Sequence, residues 1–333
     1  MSHDLINSTA PSIKTTGLTH YEWLQARRSG IGGSDIAAIV GASPYATAYD
    51  IYKAKMEAPD DSEESENSEW GRILEPVVAK KFVDRTGLKV QNVNFLMRHP
   101  DHTWAIANID RAIVNPEIAG NVRFKNGELT TDMILECKTA SEYVGKDWGE
   151  EETDEVPDQY QCQGQWYMGV TNTLVCYMAV LIGGNKFRIY RIDRNQELID
   201  YLFSEAESFW VNHVLAGVAP EPVTLENAKD KFRKCDPDTT IDLDFDSDDI
   251  AIFDAYIELK AAEKELKAKL EEAQKNLICL MGHKERLAVE GEVVLTYKQS
   301  QSNRIDSKSL RAENPDIAAK HTKTTVGRTI RVK

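Results

Sequence analysis

Over its first two thirds the chain alternates between two periods of apolar spacing. Apolar residues fall at three- and four-residue steps through Ile73, Leu74, Val77, Val78 and Phe82, which predicts an amphipathic helix with Glu75 off its stripe. Pro76 is awkward inside a helix, so it sets Glu75 at a helix start or a bend. Helical spacing also predicts helices over residues 20–28, 34–40 and 48–56, around Gln163, and over 196–216. Alternation predicts strands at 89–97, 103–114, 133–139, 173–182 and 186–192, the last two joined as a hairpin across Gly183-Gly184-Asn185. Between the second and third strands an insertion at 115–132 carries Asn115-Pro116 and Asn126-Gly127, both turn signals.

The pattern changes after Gly217, where Pro220 and Pro222 prevent helix continuation. Ile252, Tyr256, Leu259, Glu263, Leu266, Leu270, Ala273, Leu277 and Leu280 then alternate steps of four and three, a heptad seam on one long helix. That seam needs cover, either within the chain or from a second copy, and Glu263 interrupts it. Segments 286–290 and 293–298, divided by Gly291, predict a hairpin. The expected organisation is a flexible N-terminus (1–18), one large domain (19–216), a linker (217–247) and an appendage (248–333) of coiled-coil-like helix, hairpin and basic tail.

Composition narrows the setting. The chain has no apolar run long enough for a membrane span, and residues 1–16 lack the basic and apolar regions of a signal peptide. A cytoplasmic protein is expected, with no membrane partner. Its five cysteines are scattered without a CxxC pair, so neither a disulfide framework nor a four-cysteine iron–sulfur cluster is indicated. The net charge of −14 argues against nucleic-acid binding, because affinity for duplex DNA comes from Lys and Arg on phosphates. The acidic residues, however, concentrate at 60–69, 147–158 and 236–254, while from Lys298 onward nine Lys or Arg face three Asp or Glu. That tail either solvates the chain end or contacts DNA.

The candidate chemistry centres on Ile134-Leu135-Glu136-Cys137-Lys138-Thr139. In an extended strand Glu136 and Lys138 emerge on one face, and Asp110 precedes them in Ala107-Asn108-Ile109-Asp110. Two carboxylates can hold a hard cation through oxygen, and a Lys beside them can serve a water. A salt-bridged strand face would look the same. On the helix near Gln163, the residues Gln159, Gln163 and Tyr167 recur every four positions, and amides and a phenol can hydrogen-bond phosphate oxygens. The run Arg27-Arg28-Ser29-Gly30-Ile31-Gly32-Gly33-Ser34-Asp35 reads as a glycine-rich turn into a helix, either an anion site or a cap at Ser34 or Asp35.

Taken in order, GIGGSD (residues 30–35), GxxxE (Gly71 to Glu75), ANID (ending at Asp110), ExK (Glu136, Lys138) and QxxxY (Gln163, Tyr167) resemble the YqaJ-type viral recombinase family. That family is related to phage lambda exonuclease and to RecB-type domains of the PD-(D/E)XK nuclease superfamily. The resemblance spans about residues 19–216; each motif alone is common, and their shared order carries it. It implies an α/β fold with a PD-(D/E)XK core, a mixed β-sheet flanked by helices. It also implies a Mg²⁺-dependent deoxyribonuclease, with Mn²⁺ as an alternative and two ions per site, acting 5′ to 3′ on double-stranded DNA ends in phage-type recombination. An endonuclease of the same fold, or a non-catalytic DNA-end-binding scaffold, is the alternative. A toroidal homotrimer, a single-strand annealing partner and a phage or prophage origin are further implications.

By position, Asp110 and Glu136 would bind metal, Glu75 would complete the metal shell, and Lys138 would serve the attacking water. Gln163 and Tyr167 match the supporting helix, and Arg28 and Ser34 match residues gripping a terminal 5′ phosphate. The insertion at 115–132 departs from the family's tight hairpin and leaves Asp132 as a rival to Asp110, which the ANID context favours.

Overall fold

In a computed structural model of the chain, the described residues are 12–58, 65–125, 128–244, 247–323, 328 and 330. The expected turn at Asn126-Gly127 and residues 60–64 of the acidic stretch at 60–69 lie outside them. The chain divides into two compact units, Met1–Lys231 and Phe232–Lys333.

The first unit is built on a five-stranded mixed sheet. Its order is β10 (Lys186–Asp193), β9 (Val175–Ile182), β8 (Met133–Ala140), β5 (Arg111–Ile113) and β2 (Val90–Gln91). Only β8 and β9 run parallel. Helices cover both faces, so β8 is buried at Ile134, Leu135 and Glu136 in succession, as expected of a strand sandwiched between layers. On one face α4 (Glu66–Thr86) packs Val78, Ala79 and Phe82 over Ile113, Leu135 and Ala179. On the other, α5 (Asp158–Thr171) brings Trp166 and Met168 to the core that holds Ile134, Cys176 and Met178. The expected α/β core with a mixed sheet flanked by helices is therefore present.

A second sheet joins β1 (Ser12–Lys14), β3 (Phe95–Arg98) and β4 (Ile106–Ala107). Residues 12–14 are thus paired, not the flexible tail expected for 1–18; their amide ladder to 95–97 anchors them. The strand expected at 89–97 divides between two sheets at Asn94, which takes a left-handed φ of 55°. The strand expected at 103–114 likewise divides, and Asp110 stands at the break just before β5.

Helices α1 (His20–Arg27), α2 (Gly33–Ile39) and α3 (Ala48–Met56) lie close to their expected bounds. The helix at α4 starts ten residues before Pro76, capped by the Ser65 hydroxyl on the Ser68 amide. Glu75 and Pro76 therefore sit in its interior, which removes the helix start from the two expected alternatives, a helix start or a bend. The helix expected at 196–216 is α6 (Gln196–Phe209) continued by a π-helical turn, Trp210–Leu215.

The boundary expected at 216 falls inside the first unit. Helix α7 (Leu225–Lys231) docks on α3: the Asn227 amide donates to Asp50 Oδ1 at 2.9 Å and its oxygen accepts from Thr47 Oγ1 at 2.9 Å. Lys53 also pairs with Asp230 at 2.6 Å. These anchors are polar, and apolar periodicity does not register them.

In the second unit α8 (Ile250–Met281) matches the heptad helix, and β11 (Arg286–Val289) pairs with β12 (Glu292–Thr296) as the expected hairpin. Short helices follow at Ser307–Glu313 and Pro315–Lys320. The seam residues Ile252, Leu259, Leu266, Leu270 and Leu280 are exposed. Among the described residues no helix is long and apolar enough to cross a membrane.

Candidate active site

Strand β8 puts Glu136 and Lys138 on one face, as alternation requires, and Cys137 on the other, where it packs beside the α4 cluster. The β5–β8 register pairs Arg111 with Leu135, so the preceding Asp110 falls opposite Glu136. Backbone amides lock the two together: Asp110 N–H donates to Glu136 Oε1 at 3.1 Å, and Cys137 N–H donates to Asp110 Oδ2 at 2.7 Å. Lys138 Nζ donates to Glu136 Oε2 at 3.1 Å. From α5, Gln163 Nε2 reaches the same oxygen at 3.3 Å and the Tyr167 hydroxyl at 3.1 Å. The Lys138 ammonium also lies 5.2 Å from the centre of the Tyr160 ring, a cation–π contact.

These groups line a cleft of about 920 Å³ that also receives Arg27, Ser34, Glu75 and Asn108. Burial, then the neighbouring Asp110 charge, pushes the Glu136 carboxyl up to about 8, with Lys138 only partly offsetting both. Burial raises Asp110 as well, and the Glu75 charge adds to it. Burial pulls on Lys138 in the opposite sense, but the Glu136 and Asp110 charges outweigh it and hold the ammonium protonated. Burial raises the Tyr167 phenol too, so that it stays neutral.

Glu75 reaches the cleft from α4, where its carboxylate pairs with Arg111. The Arg111 guanidinium also donates to the Asp110 carbonyl at 2.6 Å. Among the described residues no three His, Cys, Asp or Glu side chains converge as a metal site. The carboxylates that do converge are Asp110 and Glu136. Asp132 does not line this cleft: its Oδ1 accepts from the Asn115 amide at 2.9 Å and its carbonyl from Leu174 and Val175. Gln159, on the same helix as Gln163, does not line it either.

The glycine-rich turn works through close packing. A Cβ at Gly33 would lie 2.7 Å from Tyr167 Cε1 and 2.8 Å from Gln163 Cγ, so glycine lets the start of α2 press onto α5. The Gly32 N–H is capped by Asp35 Oδ2 at 2.8 Å. Ser34 therefore does not cap the helix; its hydroxyl accepts from Arg27 Nη2 at 2.7 Å.

The expected phosphate contact at Arg28 needs correction. Its guanidinium is buried and donates to the carbonyls of Lys55 and Met56, each at 3.1 Å, and to Gln25 Oε1. Arg28 ties α1 to α3, and of these two arginines it is Arg27 that lines the cleft, as Arg72 does from α4. Helical phase could have separated them, because Arg27 lies one turn beyond Trp23, and its guanidinium stacks 4.9 Å from that ring. Asp35 and Lys55, paired at 2.7 Å behind Arg27, leave no joint signal in the sequence because twenty residues separate them.

Comparison with known proteins finds relatives by sequence and by structure. A sequence profile of the YqaJ-like viral recombinase domain matches residues 22–173, the segment that carries the cleft. The YqaJ protein of Bacillus subtilis (strain 168) is 34% identical over 319 residues, covering 94% of this chain and 93% of that protein. Among solved structures, the alkaline exonuclease LHK-Exo of Laribacter hongkongensis aligns with a TM-score of 0.43 at 18% identity, covering 59% of this chain and 93% of the other. A phage-related exonuclease of Haemophilus somnus 129PT aligns with a TM-score of 0.40 at 15% identity, covering 56% and 96%. With a third of its residues shared over nearly its full length with YqaJ, the chain belongs to the YqaJ-like viral recombinase family.

Proposed function

We propose that the protein is a metal-dependent deoxyribonuclease that resects double-stranded DNA in the 5′ to 3′ direction from its ends, in phage-type recombination. The observation that carries this reading is the Asp110–Glu136 carboxylate pair, Glu136 buried and Asp110 half-buried, with Lys138 on the same strand face as Glu136.

The donor set fits a divalent cation. Two oxygen-bearing side chains sit side by side in a place that resists their negative charge, which a hard cation would relieve. Asp110 and Glu136 would hold Mg²⁺, or Mn²⁺ in its place. Glu75 would join, and a second ion with it, on release from Arg111. Such an ion supplies Lewis acidity for phosphodiester hydrolysis.

The chain's own groups do the rest. The Glu136 and Asp110 charges hold the Lys138 ammonium protonated, and in that form it orients an attacking water and offsets phosphate charge. Gln163 fixes the Glu136 rotamer, and Tyr167 fixes Gln163. Arg27 and Ser34, at another part of the same cleft, suit a terminal 5′ phosphate, with a guanidinium and a hydroxyl already aligned. The homotrimer and the annealing partner extend the same reading by family likeness.

The test is digestion of end-labelled linear and closed circular duplexes with Mg²⁺ or EDTA, comparing the native protein with Glu136→Ala. Linear DNA should be degraded from 5′ ends with Mg²⁺ alone, circles should persist, and Glu136→Ala should lose at least about a hundredfold in rate. Cutting of circles would make the protein an endonuclease. Binding of ends without hydrolysis would make it a scaffold.

A further inference from the structure

The first unit buries an ion pair that the hydrolytic reading above does not use. The Lys55 side chain is 3% exposed and that of Asp35 8%, and Lys55 Nζ donates to Asp35 Oδ2 at 2.7 Å. Taking both charges out of water is costly, and a buried pair seldom stabilises more than apolar residues of like volume would. What distinguishes this pair is where its remaining bonds go. Asp35 Oδ1 accepts from Arg27 Nη2 at 3.2 Å, and Lys55 Nζ donates to the Arg27 carbonyl at 3.0 Å. The pair therefore grips Arg27 by side chain and backbone together.

The surrounding contacts point the same way. Burial would raise the Asp35 carboxyl, yet the Lys55 and Arg27 charges outweigh burial and keep it ionised below the usual range. Arg28 clamps the Lys55 carbonyl, which fixes the end of α3 from which Lys55 reaches in. The Trp23 ring covers the Arg27 guanidinium, and Ser34 takes its other bond. A long, flexible side chain is thus held in a single geometry at the cleft wall, at a cost in rotamer freedom.

We propose that the Asp35–Lys55 ion pair is a positioning device that pre-orients Arg27, and so sets how strongly the protein prefers DNA ends bearing a 5′ phosphate over ends bearing a hydroxyl. This rests on the assignment of Arg27 to the terminal phosphate. Asp35 and Lys55 are positioning residues and touch no substrate themselves.

The experiment compares degradation of 5′-phosphorylated and 5′-hydroxyl duplexes by the full-length native protein, Arg27→Ala, the double variant Asp35→Asn/Lys55→Met, and Asp35→Glu. The double variant removes the buried charges together, keeps the volume and leaves an acceptor for the Gly32 amide, so its melting temperature should stay near native. Its preference for phosphorylated ends should nonetheless fall on the order of tenfold, as expected when a gripping group is displaced, and the loss should appear in KM for phosphorylated ends. Asp35→Glu keeps both charges and moves the anchor, so it should lower the preference while remaining folded, and it decides the matter if the double variant does not fold.

If Arg27→Ala leaves the preference intact, the phosphate assignment is wrong. If Arg27→Ala abolishes it while the folded Asp35 and Lys55 variants retain it, the pair is purely structural and the inference falls.

Discussion

The two units of the chain violate the ordinary rule of burial in opposite senses. The first buries charge: Glu136, Asp35 and Lys55 are each more than nine-tenths removed from solvent. The second exposes apolar surface: Leu259 and Leu266 are each 69% exposed on a helix whose ion pairs, such as Lys260–Glu263, also face water. Buried charge is retained only where neighbours satisfy it, and of these three Glu136 lines one cleft while Asp35 and Lys55 stand behind its Arg27. Exposed leucine at heptad spacing is different in kind, since it records a packing surface that the described residues leave uncovered.

The sharpest way to break this contrast is to titrate it. Glu136 has an ordinary value of 4.5 unfolded and is pushed up to about 8 by burial and by Asp110. Between those limits the unfolded chain is ionised while the folded chain holds the proton. The metal-free protein must therefore lose stability as pH rises from about 5 to about 8, with a slope of up to about 1.4 kcal/mol per pH unit. Thermal melts across that window should show the decline, Glu136→Gln should flatten it, and Mg²⁺ should recover more stability at pH 8 than at pH 6. A flat profile in the native protein would mean that Glu136 is ionised despite its burial. The exposed pairs of the second unit, screened by solvent and salt, should add no comparable slope.

Next in size is a steric test of the close approach that brings the glycine-rich turn to the site. A Cβ at Gly30 would collide with the Trp104 carbonyl oxygen, which belongs to backbone and cannot rotate away, and would come within 2.9 Å of Ile106 Cγ2. Gly30→Ala should cost about 1–3 kcal/mol by overpacking. At Gly120, by contrast, no atom of the described residues lies within 4 Å of an added Cβ, so Gly120→Ala should be close to neutral. Denaturant unfolding of the two variants measures the difference, and equal effects would show that the turn can relax.

How far the sequence exposed these features depended on the kind of signal each one leaves. The strand at 133–139 and its Glu136–Lys138 face follow from two-residue alternation, and the structure extends that strand by one residue to Ala140. The parallel pairing with β9 has no local signal, since its partners such as Met133 and Val175 are distant in sequence, and the same holds for the helices packed on both faces. Arg27 and Arg28 are adjacent in a basic run, and only the phase of one helical turn separates the arginine in the cleft from the arginine that ties two helices. Asn227 and Asp230 anchor α7 through hydrogen bonds and an ion pair, so a segment that reads as a linker belongs to the first unit. Pro76 suggests a helix start or a bend because it lacks an N–H; the helix instead begins at a serine cap, Ser65, and runs through the proline.

The smallest expected effect concerns the second unit, where the contrast predicts near silence. Leu259 and Leu266 already lie in water, so the double substitution Leu259→Gln/Leu266→Gln removes little buried area and should change the stability of the monomeric chain by less than about 0.5 kcal/mol. If the seam is covered by a second copy, the same substitution should instead dissociate the assembly, which sedimentation over a range of protein concentrations would report. A chain ending at Lys231 offers the complementary measurement, because it retains α7 and every proposed site residue. It should fold and cleave short duplexes with Mg²⁺, whereas a chain ending at Pro222 exposes the α3 surface that Asn227 and Asp230 satisfy and should be less stable. A truncation at Lys231 that fails to fold would show that the heptad helix packs on the first unit, and the contrast between the two units would then collapse into a single core.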